Sequence, residues 1–191
     1  MPRTKEEFAA IRKESRRRIM EAALELFATR GFYSTSISQI AKTAEVSKGL
    51  MYNYFSSKEE LLKAILMNAY EEGAKMMEDE MKLPSTPQEH ILHIIDMFEN
   101  MMKTRLKFFK LLTALMFQDD AQKLILSDIM PKKEVQIEQT IQLFEQAGYE
   151  NPKTAAYYFG AVLDGIAIQY MTIGTDYPLD EMLQEVKNKY K

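Results

Sequence analysis

Val46-Ser47-Lys48-Gly49-Leu50-Met51-Tyr52-Asn53-Tyr54-Phe55-Ser56-Ser57-Lys58-Glu59-Glu60-Leu61-Leu62 decides the reading of this chain. At about 100° per residue, Met51, Tyr54 and Phe55 share one arc of a short helix, and Lys48, Gly49, Tyr52 and Asn53 share the opposite one. One side is built for burial and the other for contact. So short a helix is marginal in isolation and must dock on neighbours. Upstream, Ser36 followed by Gln39 reads as a capping box opening another short helix through Ile37, Ile40 and Ala41. Thr43-Ala44-Glu45-Val46 makes the turn, and Ser47 is the N-cap of the second helix. Two short helices joined this way form the helix-turn-helix pattern, although caps of this kind also occur in any small α-hairpin.

The longer run from Arg16 to Leu62 narrows the choice. Ile19-Met20-Glu21-Ala22-Ala23-Leu24-Glu25-Leu26-Phe27, the stop Arg30-Gly31-Phe32, the stretch Thr35-Ser36-Ile37, the pair Ile40-Ala41, and Val46-Ser47-Lys48-Gly49 with Tyr52, Tyr54-Phe55 and Lys58-Glu59-Glu60-Leu61 follow in order. In motif and order this resembles the N-terminal domain of tetracycline-repressor-type (TetR) transcriptional regulators. The family more often has threonine or serine at Leu50, histidine at Asn53 and glycine at Glu45, and these departures bear on which operator is read. The resemblance implies an all-α fold with a DNA-binding domain over 1–58, its helix-turn-helix at about 36–55, and a helical regulatory and dimerisation domain over 59–191. About nine helices are expected.

Composition is compatible with that organisation. The 191 residues are 46% hydrophobic and contain 7 Gly and 6 Pro, favouring long helices around a packed core. No apolar run reaches the roughly 18 residues of a membrane span, and the start lacks a signal-peptide core. Cysteine is absent, which excludes disulfides and thiolate catalysis. With no glycine-rich phosphate loop or nucleophile elbow either, an enzyme is not expected, no cofactor is called for, and a cytoplasmic location is. The net charge of −3 conceals an asymmetry: residues 1–63 carry 12 Lys or Arg against 8 Asp or Glu, and residues 64–191 carry 13 against 20. The basic excess sits with the helix-turn-helix, where phosphate neutralisation is rewarded. Arg12, Lys13, Arg16, Arg17 and Arg18 read equally as a solvated face or as partial phosphate contacts.

Ile19, Ala22, Ala23, Leu26 and Phe27 form the buried stripe of a first helix from about Glu6 or Ile11 to Thr29, with Gly31 as an αL cap. Ser57 with Glu60 opens a fourth helix toward Met81, and Thr86, Pro87 and Glu89 open a fifth after a break at Leu83-Pro84-Ser85. The fifth helix is expected at about 87–103 and the rest at about 104–117, 121–129, 131–148, 152–173 and 178–190, punctuated by Pro131, Gly148, Pro152, Gly174 and Pro178.

Within DNA-binding chemistry, Ser36, Tyr52 and Lys58 are expected to contact phosphates, assisted by Ser47. Lys48, Gly49, Leu50 and Asn53 are expected at base edges: Lys48 to guanine, Asn53 to adenine, Leu50 to a thymine methyl, Gly49 for close approach. The body is rich in Met and Phe, which either form a core or mould around an apolar ligand. Family resemblance implies a small-molecule effector pocket here, with Met97, Phe98, Met101, Phe109, Leu112, Met116, Tyr158 and Asp164 as its candidates. Asp164, Tyr157, Tyr158 and Gln169 are taken as buried polar groups. Ala156, Gly160 and Ala161, small and close together on one helix, together with Leu163, are the candidates for a homodimer interface, which the resemblance places on the last two long helices. His90, His93 and Asp96 are the one arrangement with metal-ligand spacing, but exposed or pocket-rim histidines are the preferred reading and no metal is expected. Asp119-Asp120 reads as a turn or cap. Double-stranded operator DNA, a second copy of the chain and an unidentified effector are thus the expected partners, and no membrane. The alternative is a helical ligand-binding or protein-interaction module of the same fold that does not read specific DNA.

Overall fold

Local signals set the ends of the helices before any packing is considered. In the computed structural model, which describes residues 4–116 and 119–191 apart from the side chains at 116, 119–130 and 133, nine α-helices occur among the described residues. They are α1 (Lys5–Arg30), α2 (Ile37–Thr43), α3 (Lys48–Tyr52), α4 (Lys58–Met81), α5 (Pro87–Thr104), α6 (Leu106–Met116), α7 (Asp119–Gln146), α8 (Pro152–Ile173) and α9 (Leu179–Lys189), with a 3₁₀ turn at Gly174–Asp176. No strand occurs among the described residues. Complete capping boxes open α1 at Thr4 and Glu7, α2 at Ser36 and Gln39, and α5 at Thr86 and Glu89, with Pro87 in the first turn. In each, the side-chain oxygen accepts an N–H that has no helical partner. Gly148 (φ 82°) closes α7 in a Schellman motif: Tyr149 N–H donates to the Phe144 carbonyl at 3.1 Å, and Gly148 N–H to that of Glu145 at 2.9 Å.

Three expectations are corrected. Gly31 ends α1 at φ 86°, ψ 152°, an extended mirror-image conformation rather than αL. Ser57 does accept the Glu60 N–H at 3.1 Å, but the Glu60 carboxylate reaches back to Ser56, accepting its N–H at 2.7 Å and its hydroxyl at 2.5 Å. The box is therefore displaced by one residue on its return arm, and those bonds, led by the Ser56 hydroxyl, hold the Glu60 carboxyl below the usual carboxylate range. Pro131 does not separate two helices; it lies inside α7. Proline removes one backbone donor, but the helical turns on either side keep their own bonds.

The chain divides into two compact units, Met1–Ala69 with Lys110–Leu124, and Tyr70–Phe109 with Ile125–Lys191. In the first, Ile19, Ala23 and Phe27 of α1, Ile40 of α2, Met51 of α3 and Leu61 of α4 are almost wholly buried. In the second, Ile91, Ile95 and Met102 of α5 join residues of α7, α8 and α9 in one core. Phe144 is its aromatic centre, with ring centroids 5.0 Å from Tyr149, 5.6 Å from Phe159 and 5.8 Å from Tyr190. Along the α5–α9 seam, Lys103 bridges Glu99 (2.8 Å) and Asp180 (2.7 Å), and Lys187 bridges Asp96 (2.5 Å) and Glu99 (3.4 Å). Among the described residues no helix is long and apolar enough to cross a membrane.

Because Phe144 is fully buried and touches three other rings, Phe144→Ala is expected to cost about 3–5 kcal/mol. Urea unfolding followed by circular dichroism measures it, and a loss below about 1 kcal/mol would deny the ring its central place.

Candidate nucleic-acid interface

Five residues make α3, too few to hold a helix by their own hydrogen bonds, so its geometry is imposed from outside. Ser47 Oγ accepts the Leu50 N–H at 3.0 Å and fixes the first turn. Met51 (fully buried) and Phe55 anchor the underside. Lys48, Gly49, Tyr52 and Asn53 are exposed and Leu50 is half-buried, so the two arcs read from the sequence are the two faces observed. Tyr52 is 48% exposed, unusual for an aromatic ring on a packed domain. Asn53 is the C-cap through its backbone, which leaves its side chain facing outward.

Gly49 is informative because nothing inside the chain demands it. Its φ is not positive, and a Cβ placed there would meet no atom within 4 Å. A helical glycine costs about 1 kcal/mol relative to alanine. Nothing within the fold requires the missing side chain.

The turn before α3 is held by α1. Glu45 has φ 54°, the positive-φ non-glycine residue of the described chain, a conformation glycine adopts without penalty. Arg18 Nη2 donates to the Ala44 carbonyl at 2.6 Å and reaches the Glu45 carboxylate at 3.0 Å, clamping that strained corner. The loop from α1 to α2 is fastened similarly. Lys58 Nζ, at the start of α4, donates to the carbonyls of Phe32 (2.8 Å) and Thr35 (3.0 Å), approaches that of Tyr33 (3.4 Å), and lies 4.5 Å from the centre of the Phe32 ring. The buried Thr35 hydroxyl bonds the Gly31 carbonyl at 2.8 Å.

These contacts reassign several cations. Lys58, expected on a phosphate, has its three ammonium donors directed at loop carbonyls. Arg17 is flanked by Glu14 (2.6 Å) and Glu21 (2.5 Å), whose hydrogen bonds push its pKa up and offset its charge. Arg18 braces the turn, and Arg16 sits 5.3 Å from the Phe55 ring. Lys48, Arg12 and Lys13 stay solvent-facing. Ser36 and Ser47 are exposed cap residues whose oxygens accept N–H groups, leaving their hydroxyl protons for an outside acceptor.

Residues 19–65, which contain this whole arrangement, match the family model described as "Bacterial regulatory proteins, tetR family". The match spans 47 of the 191 residues and lies within the N-terminal head. Among curated relatives, the HTH-type transcriptional regulator HbdR of Aromatoleum sp. (strain CIB) is 35% identical over 83 residues, 44% of this chain and 36% of the relative. The chain spans only between 20% and 40% of the length of such relatives. Among solved structures, a TetR-like transcriptional regulator from Rhodococcus sp. RHA1 superposes with a TM-score of 0.78 at 22% identity, covering 100% of this chain and 96% of its own. The regulator FadR from Bacillus subtilis in complex with stearoyl-CoA gives 0.76 at 19% identity, covering 91% and 96%. At these identities the likeness shows the fold.

The remainder of the chain departs from what its sequence suggested. Phe98 is buried in the core, Met97, Met101, Phe109 and Leu112 are half-buried, and the side chains of Met116, Asp119 and Asp120 lie outside what the structure describes. Asp164, Tyr157, Tyr158 and Gln169 are exposed rather than buried, because they lie on the face of α8 opposite Phe159, Leu163 and Ile166. Ala156 and Leu163 pack into the chain's own core, whereas Ala161 faces outward and Gly160 is half-buried. An open groove in the second unit is lined by Tyr70, Ala74, Lys75, Lys82, Lys132 and Val135 among others, none of them a residue singled out for ligand binding. His90 is buried, correcting the reading of an exposed or rim histidine.

Two substitutions separate support from contact. Lys58→Met should destabilise the head by about 1–3 kcal/mol, since it strands carbonyls that accept charge-assisted bonds; an unchanged denaturation midpoint would return Lys58 to the role of an exposed cation. Gly49→Ala should stabilise the head by up to about 1 kcal/mol in the absence of DNA; a loss of stability in that assay would mean the site is crowded from within.

Proposed function

We propose that this chain is a DNA-binding transcriptional regulator acting as a twofold dimer on a quasi-palindromic operator, and that a small, largely hydrophobic effector releases it. The exposed, anchored face of α3 carries this reading: a rigid helix offering Lys48, a glycine with no internal role, Tyr52 and Asn53. Paired heads would enter successive major grooves about 34 Å apart. Lys48 and Asn53 read base edges, Leu50 meets a thymine methyl, and Tyr52, Ser36 and Ser47 position the backbone.

Pairing of two bodies is supported by the apolar side chains left exposed on α8. On α8, Tyr157 (55% exposed), Tyr158 (51%), Ile168 (49%) and Ile173 face solvent along with Ala161. Several exposed apolar side chains on one helix suit an association face. An effector is supported by likeness: one structural neighbour is a regulator in complex with stearoyl-CoA and another a regulator in complex with choline. Here the half-buried Met97, Met101 and Phe109 of the second unit supply adaptable apolar walls. Release requires the effector to bind the DNA-incompetent state more tightly.

Selection from randomised duplex DNA, with sequencing of the retained pool, tests the reading. An enriched inverted repeat is expected, with binding that weakens steeply as salt rises. Asn53→Ala should relax preference at one base pair per half-site by about 1–3 kcal/mol, and Gly49→Ala should weaken binding while the fold is kept. A pool without any inverted repeat would favour a ligand-binding or interaction module that does not read DNA.

A further inference from the structure

The geometry points to a divalent transition-metal site formed by Glu80, His90 and His93, independent of the DNA-binding reading. Glu80 sits in the last turn of α4, and the two histidines lie three residues apart on α5. One ligand atom from each falls within 4.8 Å of the others. Glu80 Oε1 is 3.5 Å from His90 Nδ1 and in direct contact with His93 Nδ1. Two nitrogens and a carboxylate oxygen bound at about 2.0–2.2 Å in a tetrahedron stand roughly 3.4 Å apart, the spacing already present between Glu80 and His90.

Burial gives the second argument. The His90 side chain is 8% exposed, and its Nδ1 has no hydrogen-bond partner. The Glu80 carboxylate is 14% exposed. The Glu80 carboxylate meets His93 directly, while the buried His90 nitrogen beside it is left without a hydrogen bond, which is costly. A dication held by all three groups gives the His90 nitrogen a partner and leaves one coordination position for water or an exogenous ligand. Imidazole ligands select zinc, nickel, cobalt or copper over magnesium and calcium. Asp96, the third ligand suggested by sequence spacing, is instead engaged by Lys187, so Glu80 takes its place from another helix.

The test uses the full, untagged chain, stripped with chelator and titrated with Co²⁺. The sequence contains two histidines and no cysteine, so imidazole-ligated d–d absorption has one possible source. One Co²⁺ per chain is expected, displaced by Zn²⁺ and unaffected by Mg²⁺. Glu80→Gln and His93→Ala, both at positions reaching solvent and checked for folding by circular dichroism, should each weaken binding at least about tenfold. Asp96→Asn should bind as the unsubstituted chain does. Absence of a stoichiometric d–d signal overturns the site, and so does affinity that survives both substitutions.

Discussion

A five-residue helix cannot hold itself, and the architecture of the head follows from that constraint. Every device around α3 replaces stability the helix lacks: a serine cap at its start, Met51 and Phe55 beneath it, Arg18 on the turn before it. The scaffold that provides these is itself fixed at one corner, where the Lys58 ammonium gathers the carbonyls of the α1–α2 loop. Buried backbone acceptors must be satisfied, and a lysine from the next helix satisfies several at once. The head is thereby made rigid without a large core, and one face of α3 is left unused by the fold.

The proposed DNA contacts lie on that unused face. The cations nearest to it divide sharply by environment rather than by sequence position. Arg17 is neutralised by two glutamates, and Arg18 and Lys58 serve the backbone, while Lys48 remains solvent-facing. Local charge near a candidate interface is therefore a poor guide until each cation's partners are known. In the body, aromatic packing around Phe144 and the Lys103 and Lys187 ion pairs join α5, α7, α8 and α9 into a frame. Into that frame the structure brings a carboxylate and two imidazoles from separate helices.

Much of the local structure was legible in the chain. Capping boxes at Ser36 and Thr86, the stripe of α1 and the two arcs of α3 depend on interactions spanning four residues or fewer, so the order of side chains carries them. Gly49 and Asn53 were legible as outward residues for the same reason. Pro131 misled because proline removes only one donor from a helix, and a long helix with intact turns on both sides absorbs that loss. Gly31 was legible as a stop but not as a particular backbone conformation.

What the chain by itself determined was the all-α class, the positions of most helix ends and the face of α3 turned outward, since each is a matter of short-range hydrogen bonding and helical period. Only the tertiary structure decided which charged and polar side chains had partners. Lys58 finds its acceptors 23 to 26 residues away, Glu80 finds His93 across 13, and Asp164 and Tyr158 come to the surface because Phe159 and Leu163 claim the interior. Those outcomes depend on which helix faces which, and periodicity within a single helix carries no information about its neighbour.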